Sequence, residues 1–180
     1  MPEAISGPAS LSAPATPDDL FRRLEALGIV TQTVRHAAVF TVEEAQRERE
    51  AHRGDIAGGH CKNLFLKDKA GKLWLVVMLE SSRLDMKAAQ GKLGSARLSF
   101  AAPELMRSVL GVDPGSATPF TVINESALQV QVVLEAAMMR ESQLSYHPLT
   151  NTATTTIASA DLLAFLRAQG HEPRIVDFAC

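Results

Sequence analysis

The sequence predicts a single α/β domain in which helices pack around one mixed sheet. The length of 180 residues favours one domain with its own hydrophobic core. Short strand-like runs are interleaved with helices at a spacing too irregular for a doubly wound parallel sheet. The segment 73–79 is almost wholly apolar, which is typical of a strand buried on both faces. We place the domain at residues 17–180. Residues 1–16, rich in Ala, Ser and Pro, are predicted to form a mobile N-terminal arm.

Composition excludes several classes of function. Hydrophobic residues make up 46% of the chain and charged residues 21%, both ordinary for a globular protein. A net charge of −2 provides no broad basic field, so we expect no binding to DNA. Two cysteines do not make a disulfide framework, no apolar run reaches the roughly 18 residues of a membrane span, and a signal peptide is not apparent. We therefore expect a cytoplasmic protein that does not enter a membrane.

Helix signals define the start of the domain, and periodicity defines the rest. Thr16 is predicted to cap a first helix that ends at Gly28, and a strand over 29–35 follows it in the sequence. The remaining predicted elements are, in order, a capping-box helix over 41–53, a strand after Gly58-Gly59, a buried strand over 73–79, a helix over 84–92, a strand over 97–100, a helix over 103–110, strands over 122–123, 128–134, 144–147 and 152–157, a helix capped by Ser159 that runs to Gln169, and a strand over 175–178.

The stretch from Gly58 to Asp68 mixes apolar and polar residues in one predicted strand. Alternate side chains of a strand share a face, so Lys62 lies on one face and Asn63 on the other. A lysine within such a strand is costly unless its ammonium meets a wet cleft or an anion. Lys62 therefore indicates a site for an anionic or carbonyl-bearing ligand. The alternative is a surface hairpin whose lysines solvate an edge strand.

Two further segments carry groups suited to binding. The run 146–155 places four threonines, His147 and Asn151 around a proline turn, a set of donors and acceptors suited to a hydroxyl-rich ligand such as ribose. Its alternative interpretation is a polar turn that enters an edge strand. The loop Gly115–Pro119 can hold backbone amides rigidly at a pocket, although glycine and proline punctuate most loops.

Metal and thiol chemistry receive little support from residue spacing. The five histidines show no metalloprotease spacing, and the chain has no Cys-x-x-Cys motif. Cys61 would be a nucleophile if its pKa were lowered, but a small buried thiol is the commoner outcome beside an apolar strand. We predict neither a metal nor a cofactor.

Four motifs in order resemble one family. They are Phe40-Thr41-Val42-Glu43-Glu44, Lys62-Asn63-Leu64-Phe65-Leu66 with Lys67, Gly115-x-x-x-Pro119, and His147-Pro148-Leu149-x-Asn151-Thr152-Ala153-Thr154. Together they are similar to the YbaK/ProX-type aminoacyl-tRNA deacylases, free-standing relatives of the editing domain of bacterial prolyl-tRNA synthetases. The resemblance covers residues 17–178. The Lys62-Asn63 and His147-Pro148 pairs look most like the branch that deacylates alanine mischarged on proline tRNA.

This resemblance implies a mixed-sheet fold with a cleft for the aminoacylated CCA end of a tRNA. It implies a catalytic role for Lys62, which we expect to be electrostatic, and it leaves His147 either as general base or as a pocket wall. The expected substrate-binding residues are Asn63, Lys67, Gly115, Ser116, Ala117, Thr118, Pro119 and Asn151.

The expected activity is trans-editing by hydrolysis of the ester of alanyl-tRNA(Pro). A proline pocket cannot strongly exclude the smaller alanine, because missing methylenes cost only about 1–3 kcal/mol of discrimination. The expected partner is the acceptor end of mischarged tRNA(Pro), with prolyl-tRNA synthetase as a second candidate partner. The alternatives are a cysteinyl-tRNA(Pro) deacylase and a non-catalytic module that binds tRNA or a synthetase.

Overall fold

The computed structural model describes residues 13–51 and 58–179, and its first helix forms where the sequence supplies a complete capping box. The Asp19 amide donates to Thr16 Oγ1 at 3.2 Å, and the Thr16 amide donates to the Asp19 carboxylate at 2.8 Å. Leu20 and Leu24 bury the inner face of this helix. Gly28, with φ of 71°, ends it in the left-handed region that favours glycine.

The described residues form five helices and eight strands. In chain order they are α1 (Pro17–Ala26), β1 (Gln32–Arg35), α2 (Val42–Ala51), β2 (Gly59–Asp68), β3 (Leu73–Leu79), α3 (Met86–Leu93), β4 (Leu98–Phe100), α4 (Pro103–Leu105, continued as a π-helix over Met106–Leu110), β5 (Val130–Glu135), β6 (Gln143–Tyr146), β7 (Ala153–Ala158), α5 (Ser159–Ala168) and β8 (Arg174–Val176). Short 3-10 helices lie at Pro119–Ile123, Glu125–Ala127 and Met138–Arg140.

All eight strands belong to one sheet of mixed direction. Its order is β1-β7-β6-β2-β3-β5-β8, and β4 pairs with β2 beside this path. β2 and β3 form an antiparallel hairpin, whereas β3 with β5, β5 with β8, and β2 with β6 run parallel. The predicted fold class, a mixed-sheet α/β domain, is confirmed.

Strand β3 divides the core between the two faces of the sheet. Leu73, Leu75 and Val77 join a larger cluster with residues of α1, α4 and α5. The alternate residues Trp74, Val76 and Met78 join a smaller cluster with α3. The apolar run of β3 is therefore buried on both faces, as predicted.

The turn between β2 and β3 is fixed by the buried carboxylate of Asp68. Its oxygens accept hydrogen bonds from the amides of Ala70 (3.0 Å) and Lys72 (2.9 Å) and from the indole N–H of Trp74 (3.2 Å). Burial opposes ionisation, but these donors outweigh it and lower the pKa of Asp68. The turn thereby sets the register of the β2–β3 hairpin.

Strand β2 changes neighbour part-way along one edge, and this break positions the site. It pairs with β6 only at Gly59 and His60, and with β4 only from Leu66 onward. Between them, residues 61–64 pair with β3 on their other edge but face no strand on this one. The sheet therefore opens beside Lys62 and Asn63.

Two sequence-based assignments are wrong. The predicted strand at 122–123 is part of the 3-10 helix Pro119–Ile123, because Thr118 caps this turn by accepting from the Phe120 amide (3.4 Å). Ser159 does not cap α5: it is the first helical residue, and Ala158 precedes it without a side-chain bond. The helix predicted over 103–110 is confirmed in its bounds and ends at Gly111, but only Pro103–Leu105 are α-helical and Met106–Leu110 form a π-helix.

The N-terminal arm is described only in part. Residues 1–12, and the predicted end of the second helix at 52–53, lie outside the described residues. The Ala15 amide donates to Asn124 Oδ1 at 2.8 Å, so contacts with the domain begin before the predicted boundary at residue 17. None of the helices among the described residues has the length and apolarity that a membrane crossing requires.

Candidate active site

A cavity of about 320 Å³ lies where β2 lacks a neighbour. We call it the β2 cavity. Its walls come from β2, the segment that leads into α2, α2 itself, α4, the loop before the first 3-10 helix, and the end of β6, and they include His36, Val39, Phe40, Thr41, Val42, Ala45, Glu48, Arg49, His60, Cys61, Lys62, Asn63, Glu80, Met106, Pro114, Gly115, Ala117, Ser145, Tyr146, His147 and Thr154. The cavity brings together motifs that are far apart in the sequence.

Lys62 places an ammonium at the cavity. Its side chain is half-buried, and its Nζ donates to the carbonyl oxygen of Ser82 in the turn after β3. An ammonium carries three donors, so this contact leaves two for a ligand or water. This hydrogen bond fixes the position of the ammonium without neutralising its charge.

Asn63 adds an acceptor that lacks a partner. Its Oδ1 is buried and has no hydrogen-bond partner among the described residues. A buried acceptor without a partner costs about 1–3 kcal/mol, which a bound donor would recover. Lys62 and Asn63 point to opposite faces of β2, and both line the cavity at the open edge of the strand. Lys62 offers donors there, and Asn63 carries an acceptor.

His147 is held as a neutral imidazole. Its Nδ1 donates to the carbonyl oxygen of Ala153 at 3.0 Å, so Nε2 of the neutral ring is an acceptor. Burial is the main cause that lowers the pKa of His147, and the nearby His36 and Arg49 lower it further, while the Ala153 carbonyl opposes them. At neutral pH His147 can accept a hydrogen bond or a proton.

Cys61 is a packing residue in this structure. Burial raises the pKa of its thiol to about 12, and the nearby hydroxyl of Tyr146 only partly opposes this shift. The thiol therefore stays protonated at neutral pH, and only thiolates are good nucleophiles. Burial likewise raises the pKa of Tyr146 well above its usual value, so this part of the wall is uncharged.

Helix α2 covers one side of the cavity and is held by few contacts. The capping box predicted at Thr41 and Glu44 is confirmed: the Glu44 amide donates to Thr41 Oγ1 at 3.1 Å. None of the residues of α2 is fully buried. Arg49 bonds Glu80 at 2.9 Å, and this half-buried ion pair ties the helix to the residue that follows β3.

The predicted loop divides between two places. Gly115 and Ala117 line the β2 cavity, whereas Ser116 lines a second surface depression. Thr118 and Pro119 are buried, and the Thr118 carbonyl accepts from the Thr121 hydroxyl at 2.7 Å, so both support the loop from behind. The structure thus brings only part of the predicted set to the cavity.

Lys67 and Asn151 also lie outside the cavity. Lys67 is exposed and pairs with Ser99 of β4, beyond the point at which the sheet closes again. Asn151 Nδ2 donates to the Val39 carbonyl at 3.0 Å, and the Val39 amide donates to the Asn151 carbonyl at 3.2 Å. Asn151 therefore holds the cavity wall in place from outside. The substrate contacts of these residues stay predictions.

Several cavity residues were not identified from the sequence. Arg49 and Glu80 are 31 positions apart, and no local pattern links them. Phe40 belongs to the first motif, and its position directly before a capping box was the available signal. Among the described residues there is no group of three or more His, Cys, Asp or Glu side chains that could hold a metal ion.

Comparison with known proteins decides the family. The family model of the aminoacyl-tRNA editing domain matches residues 36–165, a range that contains every residue lining the β2 cavity. The chain belongs to the aminoacyl-tRNA editing domain family. The predicted family and the general class of function, aminoacyl-tRNA editing, are thereby confirmed.

Relatives and solved structures agree with this assignment. The chain is similar to mouse prolyl-tRNA synthetase associated domain-containing protein 1, with 38% identity over 89% of this chain and 95% of the relative. It is also similar to the prolyl-tRNA editing protein ProX of Acetoanaerobium sticklandii, with 31% identity over 86% of this chain and 93% of that protein. A crystal structure described provisionally as a trans-editing enzyme for prolyl tRNA synthetase covers 92% of this chain and 98% of its own, with a TM-score of 0.69 and 21% identity, and shows the same fold.

Proposed function

We propose that this editing domain acts in trans as a deacylase that hydrolyses the ester of alanyl-tRNA(Pro). One observation carries the proposal: Lys62 and the unpartnered oxygen of Asn63 are adjacent on β2, where the strand has no neighbour. An aminoacyl ester has a carbonyl that gains negative charge during hydrolysis and an α-ammonium that donates hydrogen bonds. Lys62 is matched to the first group and Asn63 to the second.

The reaction is attack of water on the ester carbonyl carbon. The bond from that carbon to the ribose oxygen breaks, the ribose hydroxyl leaves with a proton, and free alanine is released. Lys62 stabilises the negative charge that develops on the carbonyl oxygen, an effect that is commonly the largest in such reactions. Hydrogen bonds from a fixed ammonium also hold the ester in position before the attack.

His147 has two possible roles in this scheme. As general base, its Nε2 takes the proton of the attacking water, which suits a neutral imidazole. As a wall of the cavity, His147 limits the size of the aminoacyl side chain that fits. A ribose hydroxyl of the substrate then activates the attacking water instead. The two roles predict different outcomes for His147→Ala.

Selectivity for alanine follows from exclusion by size. Cys61, Tyr146 and Ala117 are uncharged wall residues that suit a methyl side chain. The larger proline ring would clash with the wall of the cavity. The free-energy cost of such a clash is greater than the cost of the contacts that a smaller side chain fails to make. A cysteinyl ester is the main competitor, because it is small and its own thiol can attack the ester.

The tRNA is proposed to approach at the open edge of the sheet, in the cytoplasm. Lys67 is exposed on the same strand as Lys62 and can reach a backbone phosphate outside the cavity. With a net charge of −2, few phosphates can be neutralised, so binding should be weak and moderately salt-sensitive, without affinity for duplex DNA. Prolyl-tRNA synthetase is a candidate partner that would supply mischarged tRNA.

A panel of aminoacyl-tRNAs tests the proposal. Catalytic amounts of the protein are incubated with alanyl-, cysteinyl- and prolyl-tRNA(Pro), and ester loss is followed with Lys62→Ala as the matched inactive control. We expect rapid loss of alanine and little loss of proline. Faster loss of cysteine would favour the cysteinyl-tRNA alternative. Binding of alanyl-tRNA(Pro) without turnover would instead support a non-catalytic module.

A further inference from the structure

Phe40 presents an aromatic ring at the mouth of the β2 cavity. Its side chain is 71% exposed, and it also lines the cavity. A single exposed apolar residue is common on protein surfaces and needs no explanation. Phe40 differs because its position next to the cavity is enforced by its neighbours on both sides.

The backbone around Phe40 is fixed by two sets of hydrogen bonds. Glu44 Oε2 accepts from the amides of Phe40 (2.6 Å) and Thr41 (3.2 Å). On the other side, Val39 is held by its paired bonds with Asn151. Because Glu44 occupies these amides, this end of α2 does not offer them to a phosphate. What it offers a ligand is the exposed aromatic ring of Phe40.

The size of the cavity determines which part of the substrate meets that ring. A volume of about 320 Å³ is at the lower end of the range for ligand pockets. The ester must lie near Lys62 and Asn63, so the aminoacyl group and the ribose occupy the interior. The base is attached to that same ribose and must leave through the mouth, where Phe40 is exposed.

We propose that Phe40 is a stacking platform for the terminal base of the tRNA, so that the site recognises an aminoacyl-nucleoside and not the ester alone. This inference rests on the proposed function and names a further binding residue for it. Stacking of a base on an aromatic side chain changes affinity by roughly 5- to 150-fold per base, and every base has a face that can stack. Binding therefore tolerates any terminal base but requires that one be present.

The test pairs a change in the protein with a change in the substrate. Wild type, Phe40→Ala, Phe40→Leu and Phe40→Trp are assayed without synthetase on two acceptor-stem RNAs charged with alanine. One RNA ends in adenosine and the other in an abasic ribose. Phe100→Ala is the matched control, because Phe100 is 68% exposed and is absent from the cavity lining.

For the adenosine-ended RNA, Phe40→Ala should raise KM about tenfold with little change in kcat. Phe40→Trp should restore KM, Phe40→Leu should not, and Phe100→Ala should behave as wild type. For the abasic RNA, Phe40→Ala should have no effect, because the group that stacks is missing. Equal effects on both RNAs, rescue by leucine, or an unchanged KM for Phe40→Ala on the adenosine-ended RNA would overturn the inference.

A second measurement separates this inference from the proposed reaction. An RNA whose terminal base is 2-aminopurine, and whose alanine is joined through a stable amide, reports stacking by quenching of its fluorescence. Quenching by wild type and its loss in Phe40→Ala would support the platform even if no ester were hydrolysed. Turnover of alanyl-tRNA without quenching would retain the deacylase and reject the platform.

Discussion

The two halves of strand β2 differ in their neighbours and therefore in what their side chains can do. Residues 66 and 67 have strands on both edges, and the Phe65 carbonyl accepts from the amide of Ala101, directly after β4. Phe65 and Leu66 are 3% and 0% exposed. Residues 60–63 are half-buried, and 61–63 have β3 on one edge only. The closed half holds the fold together, and the open half presents Lys62 and Asn63 to the cavity.

This contrast shows how one strand provides both rigidity and reactivity. The closed half fixes the direction of the strand, and the backbone of the open half inherits that direction through its ladder with β3. Its residues 60–63 are only half-buried, and they line the cavity where one neighbouring strand is missing. Mutations in the two halves should therefore have opposite signatures, one in stability and the other in activity.

The largest effect on stability is expected for Leu66→Ala in the closed half. Removing a fully buried leucine should lower the free energy of unfolding by about 2–5 kcal/mol, measured by urea denaturation. Deacylation per folded molecule should stay near wild type. Lys69→Ala, an exposed change in the adjoining turn, is the control and should shift stability by no more than about 0.5 kcal/mol. Lost activity in fully folded Leu66→Ala would show that the two halves are coupled.

Lys62→Ala should give the opposite signature. Loss of the ammonium should reduce kcat for alanyl-tRNA(Pro) by about 100- to 1,000-fold, the usual result of removing one group that stabilises an oxyanion. Stability should change little, because Lys62 is half-buried and bonds one carbonyl. Lys67→Ala, in the closed half, should instead raise KM modestly and weaken its salt dependence. Turnover near wild type in a folded Lys62→Ala protein would refute the assigned role.

The closed half and the helix starts could be predicted from the sequence because their signals are local. An unbroken apolar run identified β3, the cap at Thr16 identified the start of α1, and a capping box identified the start of α2. The segment 122–123 was mispredicted because two β-branched residues favour a strand locally, while Thr118 and Pro119 begin a turn just before them.

The open half could be predicted only in part. Lys62 was predicted from its type and position, and Asn63 from the family resemblance. The missing neighbour depends on where β4 and β6 end, and those strands lie far along the chain. Asn151 was predicted to bind the substrate, but its side chain bonds Val39, 112 positions away, and does not line the cavity. Which residues of the 115–119 loop face the cavity likewise depends on the buried contacts of Thr118.

A smaller, selective effect is expected for His147→Ala. If His147 is a wall, its removal enlarges the cavity, so alanine turnover falls by about tenfold or less while prolyl-tRNA(Pro) hydrolysis rises. If His147 is the general base, hydrolysis of every ester falls alike, by about 100-fold or more. We expect the first outcome. Comparing alanyl- and prolyl-tRNA(Pro) hydrolysis distinguishes the two, and a uniform loss would contradict the wall.

The smallest expected effect is on the pH dependence of stability. It compares two histidines at the β2 cavity with one histidine buried elsewhere in the domain. Burial is the main cause that lowers the pKa values of His60 and His147 at the cavity and of His171 in the core. His171 is 7% exposed, and its Nε2 has no partner among the described residues. Each ring is thus harder to protonate in the folded state than in the unfolded state.

The sign of the pH effect follows from that difference. An unfolded histidine titrates near pH 6.5, so below this value the unfolded state binds more protons and the free energy of unfolding decreases. The stability that these neutral, buried histidines contribute is complete above pH 6.5. It is lost as the pH falls through 6.5 toward the lower pKa values of the folded state. Asp19 and Asp68 also have lowered pKa values, but they act only near pH 4 and below. Urea denaturation at pH 7.5, 6.5 and 5.5 should therefore show a free energy of unfolding that decreases as the pH falls. The decrease should be smaller in the double variant His60→Gln/His147→Gln. Adding His171→Gln to that variant should make it smaller still. A free energy of unfolding that is constant or rises between pH 7.5 and 5.5 would mean that these rings are not buried in neutral form.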